Sequence, residues 1–374
     1  MSRFFDLVSR QVREIGGYAP APPAQPVNGQ RHLIRLDSNE NPFGPSPKAV
    51  EAMRAALAST AAYPEDDCTP LRHRLAALHE LAAEQVLVTA GSTGMLALLC
   101  QILLGPGLNA VTSERSFIVY GMATRAAGGQ LITVPMREDR LDPDALLQAI
   151  NEDTRIVFVA NPNNPTGTLL DATTVERFLN EAPGHVVVVL DEAYHEFAAD
   201  FAVRRKAEYS RSLQYVKQGA SVVVLRTFSK VHGLAGLRIG YGLGPAELLS
   251  YCTRLRSTFS VSSIAQAAAL AALEDRVHIA HTVASNSEQA QILGVALSEM
   301  GFRVVPTWAN FLYFDLGRDA GEIAEKLRGE GISVRPLGAW GAPNCLRVTI
   351  GTAAQNRAFL GAMQEIARSA SVSG

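Results

Sequence analysis

Between residues 86 and 242 short apolar runs alternate with stretches of helical periodicity, and this alternation restricts the possible folds more than any other feature. The runs at 86–89, 110–112, 131–134, 156–160, 186–190, 222–225 and 238–242 are short and mostly apolar. That is the pattern of strands covered on both faces. Strands separated by helices return in parallel, so the expected class is α/β, with a mainly parallel seven-stranded sheet covered by helices. In such a sheet ligands lie beyond the carboxyl ends of the strands.

The residues that follow the strands are polar and specific. They are Gly91-Ser92-Thr93-Gly94 after the first, Asn161-Pro162-Asn163-Asn164-Pro165-Thr166-Gly167 after the fourth, Asp191-Glu192-Ala193-Tyr194 after the fifth and Thr227-Phe228-Ser229-Lys230 after the sixth. Lysine is scarce, at 48, 206, 217, 230 and 326. Lys230 alone stands at this rim, where desolvation lowers an amine's pKa and makes it a nucleophile toward a carbonyl. Gly91, Ser92 and Thr93 open a helix after a strand, a setting that suits a phosphate. The GxGxxG spacing of a dinucleotide site is missing, so a different phosphorylated cofactor is expected. Asp191 ends a run of valines and leucine, and a carboxylate placed there needs a partner; a protonated pyridine nitrogen, an arginine or a helix cap would each serve.

Beyond residue 251 alanine-rich helical segments give way to strands at 303–305, 310–314, 332–334 and 346–349, with a helix near 322–330. This second pattern is α+β. The division expected is an N-terminal arm with part of the small domain at 1–45, a large domain at 46–260 and a small domain at 261–374. Helical spacing at 3–15 and a proline-rich arm at 18–26 precede a strand at 33–36. With 374 residues, 47% hydrophobic, and a formal net charge of -2, the chain has material for a sizeable core and no basic block that would suit nucleic acid or an anionic membrane. The four cysteines are scattered, without the spacing of a metal site or disulfide framework. No signal-peptide core or bilayer-length apolar run is seen, and a cytoplasmic, soluble protein with small-molecule partners and no metal is expected.

Taken together, Asn39-Glu40-Asn41-Pro42, the Asn161 to Gly167 loop, Asp191-Glu192-Ala193-Tyr194, Thr227-Phe228-Ser229-Lys230, Gly233-Leu234-Ala235-Gly236-Leu237-Arg238 and Leu346-Arg347-Val348-Thr349-Ile350-Gly351 resemble the fold-type I aminotransferases that use pyridoxal phosphate. The resemblance runs from about residue 30 to residue 360. It implies that Lys230 carries the cofactor and shuttles the proton, and that Asp191 pairs with the pyridine nitrogen. Asn164 and Tyr194 would contact the ring's phenolic oxygen. Gly91, Ser92, Thr93, Thr227, Ser229 and Arg238 would hold the phosphate, and Phe117 would stack on the ring where the commoner pattern has tyrosine. Arg347, with Arg335, Asn39 and Asn41, would bind substrate, and Tyr63 would reach the cofactor of a second subunit, which implies a homodimer. Within the family the motifs are most similar to the branch acting on histidinol phosphate with 2-oxoglutarate; aromatic amino acids are the second class of donor. A related decarboxylase or lyase shares nearly all these motifs.

Overall fold

The computed structural model describes residues 4, 5, 7–13, 15 and 33–372. Its larger sheet contains β1 (Val86–Thr89), β2 (Asn109–Ser113), β3 (Gln130–Val134), β4 (Thr154–Ala160), β5 (Val187–Asp191), β6 (Val222–Thr227) and β7 (Gly240–Leu243), in the order β1-β7-β6-β5-β4-β2-β3. Only β7 runs antiparallel to its neighbours, β1 and β6. The cause of the consecutive valines is visible in β6. Val222 and Val224 face one apolar cluster and Val223 and Leu225 the other, because successive side chains of a strand point to opposite faces. All four are buried, each burial being worth roughly 1.5–3 kcal/mol.

Helices cover both faces. Gly91–Leu103 buries Met95, Leu96, Leu99 and Cys100 against one face. On the other, Ser263–Leu273 contributes Ala265, Ala268, Ala269 and Ala272 to the cluster shared with β1 and β6. The sequence division at residue 260 counts this helix with the second unit, whereas packing puts it in the core of the first. Its alanines allow close approach to Pro47–Ala56, which also belongs to the larger unit.

The smaller unit is a four-stranded antiparallel sheet of Arg335–Leu337, Ala342–Thr349, Phe311–Asp315 and Arg303–Val305, in that order. Ile323 and Leu327 of Ala320–Gly329 and Phe359 of Ala353–Val372 pack on Leu312, Phe314, Leu346 and Val348 of one face. The short strand Ile34–Arg35 pairs in parallel with Ile332–Ser333, and Leu36 enters the same cluster. In the N-terminal stretch expected to be helical, Arg10–Arg13 is helix; the proline-rich arm lies outside the described residues. All four cysteines are buried as free thiols. Among the described residues no helix is long and apolar enough to cross a membrane.

Candidate active site

A cavity of about 620 Å³ opens where the carboxyl ends of β4, β5 and β6 face the smaller sheet. Ser92, Thr93, Phe117, Asn164, Asp191, Tyr194, Thr227, Ser229, Lys230, Arg238, Asn39, Arg335 and Arg347, all singled out in the sequence, line it. Three do not. Gly91 lies behind the wall, Asn41 is spent on the fold, and Tyr63 is 81% exposed, stacked on Phe259 with ring centroids 4.5 Å apart. Within one chain Tyr63 is not a wall of the cavity.

Lys230 follows β6 and its Nζ donates to the Ser38 carbonyl at 3.3 Å. Burial first, then the Arg347 guanidinium, bring its amine from the usual 10.5 down to about 7. A neutral amine near physiological pH is a competent nucleophile and base. The loop holding it is strapped by the N-terminal segment. Asn41 Nδ2 donates to the Val231 carbonyl at 2.7 Å, and a Cβ on Gly233, whose φ is +69°, would meet the Gly44 carbonyl oxygen at 2.1 Å. Asn41 therefore holds the lysine loop and is not placed to bind substrate.

Asp191 ends β5 and is 5% exposed. Burial raises its pKa from 3.8 to about 6, opposed by the Tyr120 hydroxyl, which donates to Oδ2 at 2.9 Å, and by the Ala193 N–H. Its neighbour Glu192 faces away into a buried pair with Arg226, Oε2 accepting from Nε at 2.8 Å. This pair joins the ends of β5 and β6 behind the site.

Tyr194 is held by Asn39, whose Nδ2 donates to its hydroxyl at 2.9 Å. Asn39 is itself fixed by its backbone N–H on Thr349 Oγ1, also 2.9 Å. Asn164 Oδ1 accepts from Arg347 at 2.7 Å, and the other terminal nitrogen of Arg347 donates to the Asp37 carbonyl at 2.7 Å. Arg335 and Arg347 are partners in register across the antiparallel strands. One hairpin thus presents two guanidiniums to the cavity.

The residues present fit pyridoxal phosphate. Ser92 and Thr93 lie in the first turn of a 13-residue helix, whose N-terminus attracts an anion. Thr227, Ser229 and Arg238 stand on the loop opposite. The space is kept by glycine, since a Cβ on Gly91 would come within 2.8 Å of Arg238 Nη2 and one on Gly240 within 2.5 Å of the Ser92 nitrogen. An amine of lowered pKa, a buried carboxylate and the Phe117 ring complete the set.

Sequence reasoning assigned no role to Tyr120 or Trp340. Tyr120 stands three residues after Phe117, close to one helical turn, and that spacing was a usable signal. Trp340 arrives from the hairpin tip of the smaller sheet, where its Nε1 donates to the Ser116 carbonyl at 3.1 Å. No local pattern predicts that contact.

This sheet, with a lysine, a carboxylate and a helix N-terminus at one rim, is the architecture of a fold-type I pyridoxal-phosphate enzyme. The chain belongs to the aminotransferase class I and II family, whose model matches residues 31–363. Among its relatives, histidinol-phosphate aminotransferase 2 of Pseudomonas fluorescens is 40% identical over 368 residues, 97% of this chain and 98% of that one. The histidinol-phosphate aminotransferase of Moorella thermoacetica is 40% identical over 359 residues, 95% of this chain and 92% of its own. The crystal structure of histidinol-phosphate aminotransferase from Sinorhizobium meliloti in complex with pyridoxal-5'-phosphate matches with a TM-score of 0.88 at 28% identity, covering 98% of each chain.

Proposed function

We propose that this enzyme transfers the amino group of histidinol phosphate to 2-oxoglutarate, a step of histidine biosynthesis, and that it works as a cytoplasmic homodimer. The observation that carries the substrate assignment is the in-register pair Arg335 and Arg347 on the cavity wall. A phosphate monoester brings nearly two negative charges at neutral pH. 2-Oxoglutarate, the acceptor, and the glutamate formed from it also bring two, on separate carboxylates. A pair of guanidiniums suits both, since the arginine fork accepts phosphate and carboxylate alike. Phenylalanine offers this pair a single carboxylate. The full-length relatives named for histidinol phosphate support the same reading.

Pyridoxal phosphate, when bound, supplies an electron sink for the charge left as a proton leaves the carbon beside the donor nitrogen. Lys230 Nζ, whose pKa near 7 leaves a substantial neutral fraction at that pH, is the base that takes this proton and returns it. Asp191 would hold the positive charge at the ring nitrogen, and Asn164 and Tyr194 would contact the phenolic oxygen. Ser92, Thr93, Thr227, Ser229, Arg238 and the helix end at Gly91 would hold the phosphate, and Phe117 would cover the ring. Arg347 and Arg335 orient the substrate's anionic end.

Specificity constants for histidinol phosphate and phenylalanine, each with 2-oxoglutarate as acceptor, test the assignment. Histidinol phosphate is expected to be favoured by more than about tenfold, some 1.4 kcal/mol of transition-state discrimination. A preference of that size for phenylalanine would transfer the assignment to aromatic amino acids.

The dimer is tested by complementation. Tyr63 is exposed on its own chain, a position suited to completing a site on another. Mixing Lys230→Ala with Tyr63→Ala protein is expected to restore about a quarter of wild-type activity, because half the dimers are mixed and each carries one intact site. Activity no greater than the sum of the separate variants, or an active monomer in sedimentation, would refute the shared site.

A further inference from the structure

Tyr120 is fully buried, stacked on Phe158 with centroids 4.6 Å apart and planes within 3°, and edge-on to Phe117 at 5.6 Å. Its hydroxyl donates to Asp191 Oδ2 at 2.9 Å, while Asp191 Oδ1 accepts the Ala193 N–H at 3.2 Å. We propose that Tyr120 is a positioning residue that sets the orientation of Asp191 and keeps its carboxylate ionised for the cofactor's ring nitrogen. The inference rests on the reading of Asp191 as that nitrogen's partner.

A buried carboxylate is driven toward its neutral form, and a neutral acid cannot hold a positive charge beside it. A donated hydrogen bond favours the ionised form. The Tyr120 ring is clamped between Phe158 and Phe117, so its hydroxyl is held on the carboxylate at no fresh entropic cost when cofactor enters. Burial, together with the negative charge of Asp191, holds the phenol well above its usual pKa, so it remains a donor throughout the working range. The other groups acting on Asp191 are Glu192, which raises its pKa, and Lys230, which lowers it; Tyr194 lies on the same rim. Tyr120 is the side chain that supplies a hydrogen bond.

The test is a titration of the full-length chain, stripped of cofactor, with pyridoxal phosphate from pH 5 to pH 9, read by absorbance. Wild type, Tyr120→Phe, Asp191→Asn and the double variant are compared. Phenylalanine preserves the stack on Phe158 and removes only the donor. Losing a donor raises the carboxylate's pKa, so the pH below which affinity falls is expected to move up by about one unit, giving up to roughly tenfold weaker binding at the acid end, about twofold near pH 7, and convergence with wild type at the alkaline end. Lys230 and the ligand phosphate titrate in all four proteins, so differences between them isolate the carboxylate. Asp191→Asn should lack this acid limb, and adding Tyr120→Phe to it should change affinity less than about twofold. An unshifted midpoint in Tyr120→Phe, or the same loss in both backgrounds, would overturn the role of Tyr120. If Asp191→Asn itself binds like wild type at every pH, the reading of Asp191 fails first and the proposal falls with it.

Discussion

Lys230→Ala is expected to lower turnover by at least 10²–10⁴-fold, the order of magnitude of a lost general base, with the loss of covalent attachment added to it. In the wild-type holoenzyme, borohydride reduction and peptide mapping should put the cofactor label on Lys230; a label on Lys206 or Lys217 would refute the assignment. The variant should fold, since among the described residues the amine's hydrogen bond is the long one to the Ser38 carbonyl. Its stability has a distinctive pH dependence. The folded chain lowers this amine from 10.5 to about 7, so folding releases a proton between those values and burying the amine costs stability. That cost is full below pH 7 and is lost as pH rises toward 10.5. Removing the amine from the cofactor-free protein should therefore raise Tm relative to wild type most near and below neutrality, with the difference shrinking as pH rises to 10. A pH-independent Tm difference would show that the amine is not desolvated in the way its position implies.

Asp191→Asn should reduce turnover on the order of 10²–10³-fold, the scale of one removed electrostatic stabiliser, while cofactor can still be loaded at high concentration. The amide has the carboxylate's shape but one acceptor oxygen in place of two. It can accept from Tyr120 or from the Ala193 N–H, not from both, and it cannot neutralise a positive ring nitrogen. Removing a buried charge also relieves desolvation, so thermal stability without cofactor should be close to wild type. Near-wild-type turnover with cofactor shown to be bound would rule out the role assigned to this carboxylate.

The residues at the rim were legible because they lie beside strands. Asp191 and Thr227 end β5 and β6, which pair in parallel, and Lys230 lies three residues past β6; Ser92 follows β1, which reaches the same rim across the antiparallel β7. Asn41 was misread for a related reason. It sits in a motif with Asn39, yet one side chain turns to Tyr194 and the other to the backbone of the lysine loop. Sequence proximity does not resolve two asparagines, separated only by Glu40, that bond to different elements. The alanine-rich helix Ser263–Leu273 looked like the start of the second unit because its composition changes there, but small apolar side chains pack equally well in either core.

By itself the sequence determined the α/β class, the seven strands and the rim on which the chemistry would gather, because short-range periodicity and the ends of strands are local properties of the chain. Only the tertiary structure decided what crosses between distant segments. The Tyr120 hydroxyl on Asp191, the Arg347 fork between Asn164 and Asp37, and the Trp340 indole on Ser116 join residues 71, 183, 310 and 224 positions apart. Such contacts depend on how helices and sheets pack on one another, and side-chain identity along the chain carries no local signal of that packing.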